Sequence, residues 1–335
     1  MVRSDFIVEV RRYLVNPAEH RLRAPWRVVI WFFLTAFLVI VLGAVLGLVP
    51  PLAERGPLAA VSAIGRRIAL FALGVGVALG VGSLLDRRRL ADYGLGLDGQ
   101  WWRDAGFGLA LGFGLPTVGL VALAGVGYLT VGGVLAASPT DAFAFAGTGP
   151  LVRLALLVPF FLVQASAEEI LVRGYLLTNL AEGLSGWLGA WRSTVVAVAL
   201  TGALFGVLHW TNPASSTLSV ANITLYGVLL GGCYALTGRL GIACGFHVAW
   251  NYTLVLWGFP VSGIRAGVAL LSTRATGPSL VTGGDFGLEG GLLALALLGV
   301  GTAALWWWVR REYGRVELLA SVATPDLRVA TRREE

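Results

Sequence analysis

Eight stretches of seventeen to thirty-one residues, each free or almost free of charged side chains, run through this 335-residue chain at 28–49, 68–85, 105–135, 154–180, 194–210, 220–236, 240–259 and 290–309. A hydrocarbon core is crossed by about twenty apolar residues in a helix. Lipid offers no partners to a bare backbone, so a crossing segment must satisfy its own N–H and C=O groups. The expected fold is therefore all-α, a polytopic membrane helix bundle of about eight transmembrane helices. The third stretch is overlong and reads as one tilted span plus an interfacial piece, which leaves seven or nine spans open.

Composition points the same way. Mean hydropathy is +0.77, with 56% of residues hydrophobic and 13% charged, against roughly 25% charged in soluble domains. The first apolar stretch is too long for the core of a secretory signal and lacks a small-residue cleavage site, so it reads as a retained span. All 25 cations are Arg. Alternating the spans from a cytoplasmic N-terminus puts eighteen of them inside and six outside, an N-in and C-in orientation by the positive-inside rule. Arg3, Arg11, Arg12, Arg21, Arg23 and Arg27, the run Arg87 to Arg89, Arg192, Arg239, Arg310 and Arg311 all contribute to the inner side. This basic balance, with a pI near 9.8, implies membrane lipids with anionic headgroups as neighbours and no nucleic acid, since no soluble domain carries a basic face.

Cys233 and Cys244 have no C-x-x-C spacing and indicate neither a disulfide framework nor a zinc ribbon. The chain divides into a cytoplasmic arm (1–27), three N-terminal spans (28–150), a core (151–260), an outer loop with the last span (261–309) and a cytoplasmic tail (310–335). The first three apolar stretches hold no ionisable residue in their interiors. Chemistry is confined to the second half.

There, Glu168 and Glu169 stand side by side in the fourth stretch with Arg173 one turn on. A charged side chain at the centre of a membrane helix costs roughly 2.5–3.5 kcal/mol on insertion scales and marks a site by default. Two of the three histidines, His209 and His247, also lie in or at the end of spans, whereas His20 belongs to the arm. Residues four apart share a helix face, which pairs Glu169 with Arg173, Phe205 with His209 and His247 with Asn251. Gly202 and Gly206, Gly227 and Gly231, and Gly241 and Gly245 offer small faces for close helix packing. At about 1.5 Å per residue, His247 lies roughly 10 Å, Glu168 roughly 18 Å and His209 nearer 22 Å from the inner ends of their stretches. A common site then requires the fifth segment to begin below the bilayer surface or to tilt strongly.

Each element of this set also has a purely structural explanation. Glu169 and Arg173 can simply neutralise each other, His209 beside Trp210 can be an interfacial residue, and His247 with Asn251 can glue helices together. All of them falling between Glu168 and Asn251 is harder to explain without a site.

In order along the chain, Glu168-Glu169-x-x-x-Arg173-Gly174, Phe205-x-x-x-His209 and His247-x-x-x-Asn251 resemble the motifs of the CPBP family, the CAAX prenyl protease and bacteriocin-processing group of intramembrane proteases, also called Abi. The resemblance covers about residues 153–259. It implies an intramembrane endopeptidase acting on membrane-associated or prenylated-type peptides; the Arg-only, Gly- and Ala-rich usage points to a prokaryotic cell membrane. Glu168 would be the general base, His209 and His247 would hold zinc together with Glu168 or polarise water and carbonyl without metal, and Asn251 would steady the oxyanion. Glu169 would pair with Arg173 and orient the site, and Phe205 would line the pocket. Two imidazoles and a carboxylate suit catalytic Zn, and a buried glutamate with His and Asn donors suits a metal-free route. The soluble motif His-Glu-x-x-His is absent, so any metal site must be assembled from different helices. A proton-coupled transporter would also keep midplane carboxylates, but no repeated halves are visible. A non-catalytic immunity or scaffold protein would tolerate loss of these residues.

Overall fold

The computed structural model describes residues 13–17, 19–137, 143 and 145–324; Arg3, Arg11, Arg12 and the tail beyond Thr324 lie outside the described residues. Among the described residues eight long helices follow one another: α1 (Ala24–Leu48), α2 (Pro57–Leu84), α3 (Gly99–Gly125), α4 (Pro150–Glu169), α5 (Thr178–Leu208), α6 (Thr217–Thr237), α7 (Gly241–Leu256) and α8 (Leu292–Tyr313). Their starts carry local signals. Proline opens α1, α2 and α4, where a missing N–H costs nothing. The Asp98 carboxylate caps α3 by accepting from Trp101 N at 2.8 Å, and Ser216 with Ser219 forms a reciprocal cap on α6. Among the described residues six helical runs are long and apolar enough to cross a membrane, which marks an integral membrane protein.

Several helices reach beyond their apolar stretches: α2 takes in Arg66 and Arg67, and α3 takes in Arg103 and Asp104. The overlong third stretch ends as a helix at Gly125. Its remainder is a strand, β1 (Leu129–Ala137), which pairs antiparallel with β2 (Val268–Ala275) from the loop between α7 and α8. Thr130, Val131 and Val134 after Tyr128 are β-branched and suit a strand better than a helix, and the partner strand satisfies one edge of that backbone. The outer loop between α7 and α8 thus contributes one strand of a two-stranded antiparallel sheet.

Between α4 and α5 the helix continues as a π-helical segment, Ile170–Leu177. α5 is broken at Gly189, whose φ of 75° and ψ of 161° are not helical. The chain reverses there. Gly227 of α6 meets Arg173 from one side and Gly202 from the other, and Gly231 meets both Leu177 and Val198. Glu168 lies twenty-one residues before Gly189 and His209 twenty after it, so the two stand at one level. This removes the expected mismatch in depth. α7 makes a second adjustment: at 16 residues it is about 24 Å long, and it starts inside the bundle. Leu240 N donates to Gly94 O at 3.0 Å, and Leu240 also packs beside Gly174.

The glycine faces act as close contacts. Gly202 and Gly206 leave no room for a side chain against the backbone of α6, and Gly241 and Gly245 lie against the backbone of α3 at Trp101 and Ala105. Gly108 and Gly112 of α3 return the contact at Ile242 and Phe246. At one end of the bundle Glu182 gathers Arg21, Arg27 and Arg88, with contacts of 2.5, 2.6 and 2.6 Å. Cys233 and Cys244 are both buried and free.

Candidate functional site

Adjacent residues on a helix point about 100° apart, and that angle separates the two glutamates. Glu169 is fully buried and turns towards α7 and α6. Its Oε1 accepts from Arg173 Nη1 at 2.9 Å and from His247 Nδ1 at 2.8 Å. Arg173 also donates to Gly227 O at 3.2 Å and lies over the Phe205 ring at 4.5 Å. A buried cation is thus held by a carboxylate, a carbonyl and a ring face. The π-helical stretch that carries Arg173 begins directly after Glu169, and such local widening recurs at functional positions.

Glu168 turns the other way, into a cavity of about 940 Å³. Gln164, one turn earlier, donates from Nε2 to Glu168 Oε1, and Gln164 Oε1 accepts from Asn251 Nδ2 at 3.3 Å. His247 presents Nε2 to the same side, 3.8 Å from Glu168 Oε2. With Nδ1–H committed to Glu169, Nε2 of the neutral ring is an acceptor. The gap to Glu168 is too long for a hydrogen bond and short enough for one water to touch both atoms.

His209 caps α5 with Nδ1 2.7 Å from Phe205 O, so its Nδ1–H donates to that carbonyl and Nε2 is left over. Phe205 packs against both imidazoles, at 4.8 Å from His209 and 5.9 Å from His247 between ring centroids. Glu168, Phe205, His209, His247 and Asn251 all line the one cavity, whereas Glu169 and Arg173 stand behind its wall. The motif residues are thus brought together from α4, the π-helical segment, α5 and α7.

Several polar cavity residues lay outside the sequence reading, Gln164 and Glu289 among them. Gln164 is visible in hindsight as a polar side chain one turn before Glu168 in an apolar helix. Glu289 comes from the segment between β2 and α8, is 4% exposed and lines the cavity; nothing local in the sequence signals it, because it reaches the site only through the fold.

The donor set offers less to a metal ion than the sequence suggests. Among the described residues no three His, Cys, Asp or Glu side chains gather closely enough to hold one. Glu168, His209 and His247 share the cavity without forming a ligand set.

The far walls of the cavity are apolar. Val29, Phe32 and Phe33 of α1 and Leu204 and Leu208 of α5 line it while remaining exposed on the flank of the bundle. The cavity therefore runs from the polar cluster to a side of the protein that matches lipid.

Comparison with known proteins picks out the same stretch. Residues 150–253 match the family model described as Type II CAAX prenyl endopeptidase Rce1-like, the group that the three motifs resemble. A Bacillus subtilis (strain 168) protein described as "Uncharacterized protein YyaK" is 28% identical over 130 residues, 38% of this chain and 40% of that relative. The chain thus spans about two fifths of the length of the relative it matches. No solved structure matches.

Proposed function

We propose that this chain is an intramembrane endopeptidase that hydrolyses a peptide bond of a membrane-associated, apolar or lipidated peptide, with Glu168 as general base and without a step through metal. The observation that carries the reading is the placement of Glu168 Oε2 3.8 Å from His247 Nε2, at the polar end of a cavity whose other walls are lipid-like.

In this scheme a water lies against Glu168 and His247. Glu168, held by Gln164, removes a proton as the water oxygen adds to the scissile carbonyl carbon. The oxyanion that forms is met by the Asn251 amide, whose second N–H is not used by Gln164, and by His209. Collapse of the tetrahedral species breaks the C–N bond, and Glu168 returns the proton to the departing amine. The products are a carboxylate and an amine. Glu169 and Arg173 keep His247 in the tautomer that exposes Nε2, an orienting role like that of carboxylates behind imidazoles elsewhere.

The apolar side of the cavity suits a hydrophobic segment or lipid chain that approaches from the bilayer between α1 and α5. A prenylated C-a-a-X peptide fits this description, as does a short membrane peptide of a prokaryote, where the similarity to the Bacillus protein points. The test uses purified full-length protein in lipid nanodiscs with quenched fluorescent peptides, lipidated and not. Glu168→Gln is expected to lower turnover by about 10²–10⁴-fold, and Asn251→Ala by about 10²–10³-fold. Cleavage unaffected by Glu168→Gln in folded protein would refute the mechanism.

A further inference from the structure

Trp31 and Thr35 of α1 stand well outside the matched stretch 150–253, yet both line the cavity. Trp31 is 9% exposed, and the Thr35 hydroxyl is buried. Among the described residues neither the Trp31 Nε1–H nor that hydroxyl has a hydrogen-bond partner. Thr117, Thr201 and Thr302, also inside helices, give their hydroxyls to the carbonyl one turn earlier at 2.7, 2.8 and 2.8 Å. Thr35 does not. Buried donors are nearly always satisfied, so an unpaired couple on a cavity wall marks a place where a ligand or water bonds.

Their neighbours fix where the two donors stand. The Trp31 ring packs on Tyr175 with centroids 4.8 Å apart, and the Thr35 methyl and Leu171 both lie against Gly74 of α2. Tyr175 and Leu171 come seven and three residues after Glu168. The order is reversed along α1, which therefore runs antiparallel to the segment that carries the base, with Thr35 at the level nearer to Glu168. Leu171, Val172 and Leu176 continue the cavity wall beside them.

Four residues of an α-helix rise about 6 Å. Alternate residues of an extended chain repeat about every 6.6 Å and turn their carbonyls to the same edge. The spacing of Trp31 and Thr35 thus suits two successive same-edge carbonyls of an extended peptide. An indole N–H can only donate, and a hydroxyl can donate as well. A prenyl or acyl chain offers neither of them an acceptor.

We propose that Trp31 and Thr35 form a backbone-binding subsite, which holds an extended stretch of the peptide substrate along α1 beside the bond cut at Glu168. The apolar walls take side chains or a lipid chain, and the two donors take main-chain carbonyls. The subsite rests on the endopeptidase reading for its place in the reaction, but its binding is measurable without cleavage.

The test measures Kd for a fluorescent apolar peptide, prenylated and not, with full-length Glu168→Gln protein in nanodiscs. Thr35→Val keeps the shape of the side chain and removes the hydroxyl; Trp31→Phe keeps a ring against Tyr175 and removes the N–H. Losing one neutral hydrogen bond corresponds to about 3–10-fold in Kd, so each variant should weaken the peptide by that factor and leave binding of a free prenyl alcohol unchanged. On the ligand side, replacing amides one at a time by esters makes each carbonyl a poorer acceptor. Two esters, two residues apart, should weaken binding to the parent protein, one losing its effect in Thr35→Val and the other in Trp31→Phe. Unchanged peptide binding in either folded variant would overturn the proposal, as would an equal loss for the prenyl alcohol. An ester scan of the parent protein without positional effect would do so even if Trp31→Phe does not fold. Should wild-type protein leave the peptide uncut while binding follows the expected pattern, the endopeptidase reading fails and the subsite stands.

Discussion

At the scale of single residues, the adjacent glutamates divide their work by geometry. Glu168 faces a cavity that water can enter, and Glu169 is sealed with Arg173 and His247. Their substitutions should therefore differ in kind. Glu168→Gln keeps shape and removes the base, so the thermal midpoint should hold while turnover is lost. Glu169→Ala leaves Arg173 buried without its carboxylate, and stranding one member of a buried pair costs about 3–5 kcal/mol. Thermal unfolding in nanodiscs separates the two: an unchanged midpoint for Glu169→Ala would contradict the buried pairing.

At the scale of elements, backbone contact at glycines brings the site-bearing helices together. A side chain at Gly206 would run into the Val220 carbonyl and the Thr224 backbone of α6, three residues before His209. Gly206→Leu should thus cost about 1–3 kcal/mol through overpacking and displace His209 from the cavity. Gly80 of α2 faces open space, so Gly80→Ala should leave stability equal or raised by about 0.5–1 kcal/mol. Unfolding midpoints of the two variants check this; equal effects would show that α5 and α6 are not in contact. The π-helical segment and the Gly189 break belong to this scale too, because together they set Glu168 and His209 at one level.

At the scale of the whole molecule, charged groups staple the bundle at its arginine-rich end. Glu182 binds Arg21, Arg27 and Arg88 from three separate elements. Glu182→Ala leaves these buried cations without their shared partner and should destabilise by about 3–5 kcal/mol, read as a lower unfolding midpoint with the cavity chemistry otherwise intact. Asp98, at the start of α3, is tied to Arg239 before α7 at 2.6 Å. The hydrogen bond from Arg239 holds the Asp98 carboxyl below the usual carboxylate range. A folded value below the unfolded one means that its stabilisation is present above the ordinary carboxylate range and is lost as pH falls through the folded value. Asp98 is exposed and the contribution small; Asp98→Asn should flatten the acid limb of the midpoint against pH and leave the neutral plateau nearly unchanged.

The apolar stretches, most of them long enough for a helical crossing, dictated a mostly helical membrane bundle, because a helix satisfies its backbone within one segment. The four-residue spacings paired Glu169 with Arg173 and Phe205 with His209, and both pairs are in contact, since contacts one turn apart are local to a helix. Other features were beyond local reading. The end of the third stretch became a strand because its partner lies some 140 residues away. The levels of Glu168, His209 and His247 follow from a reversal at Gly189 and from a helix that begins inside the bundle. The pairing of Glu169 with His247, and the arrival of Glu289 at the cavity, join residues 78 and 39 positions apart. The sequence thus determined which groups had to be buried and on which helix faces they sit, because hydropathy and helical period act over a few turns. Only the tertiary structure decided which of them meet, because that depends on where chains reverse and how closely backbones approach.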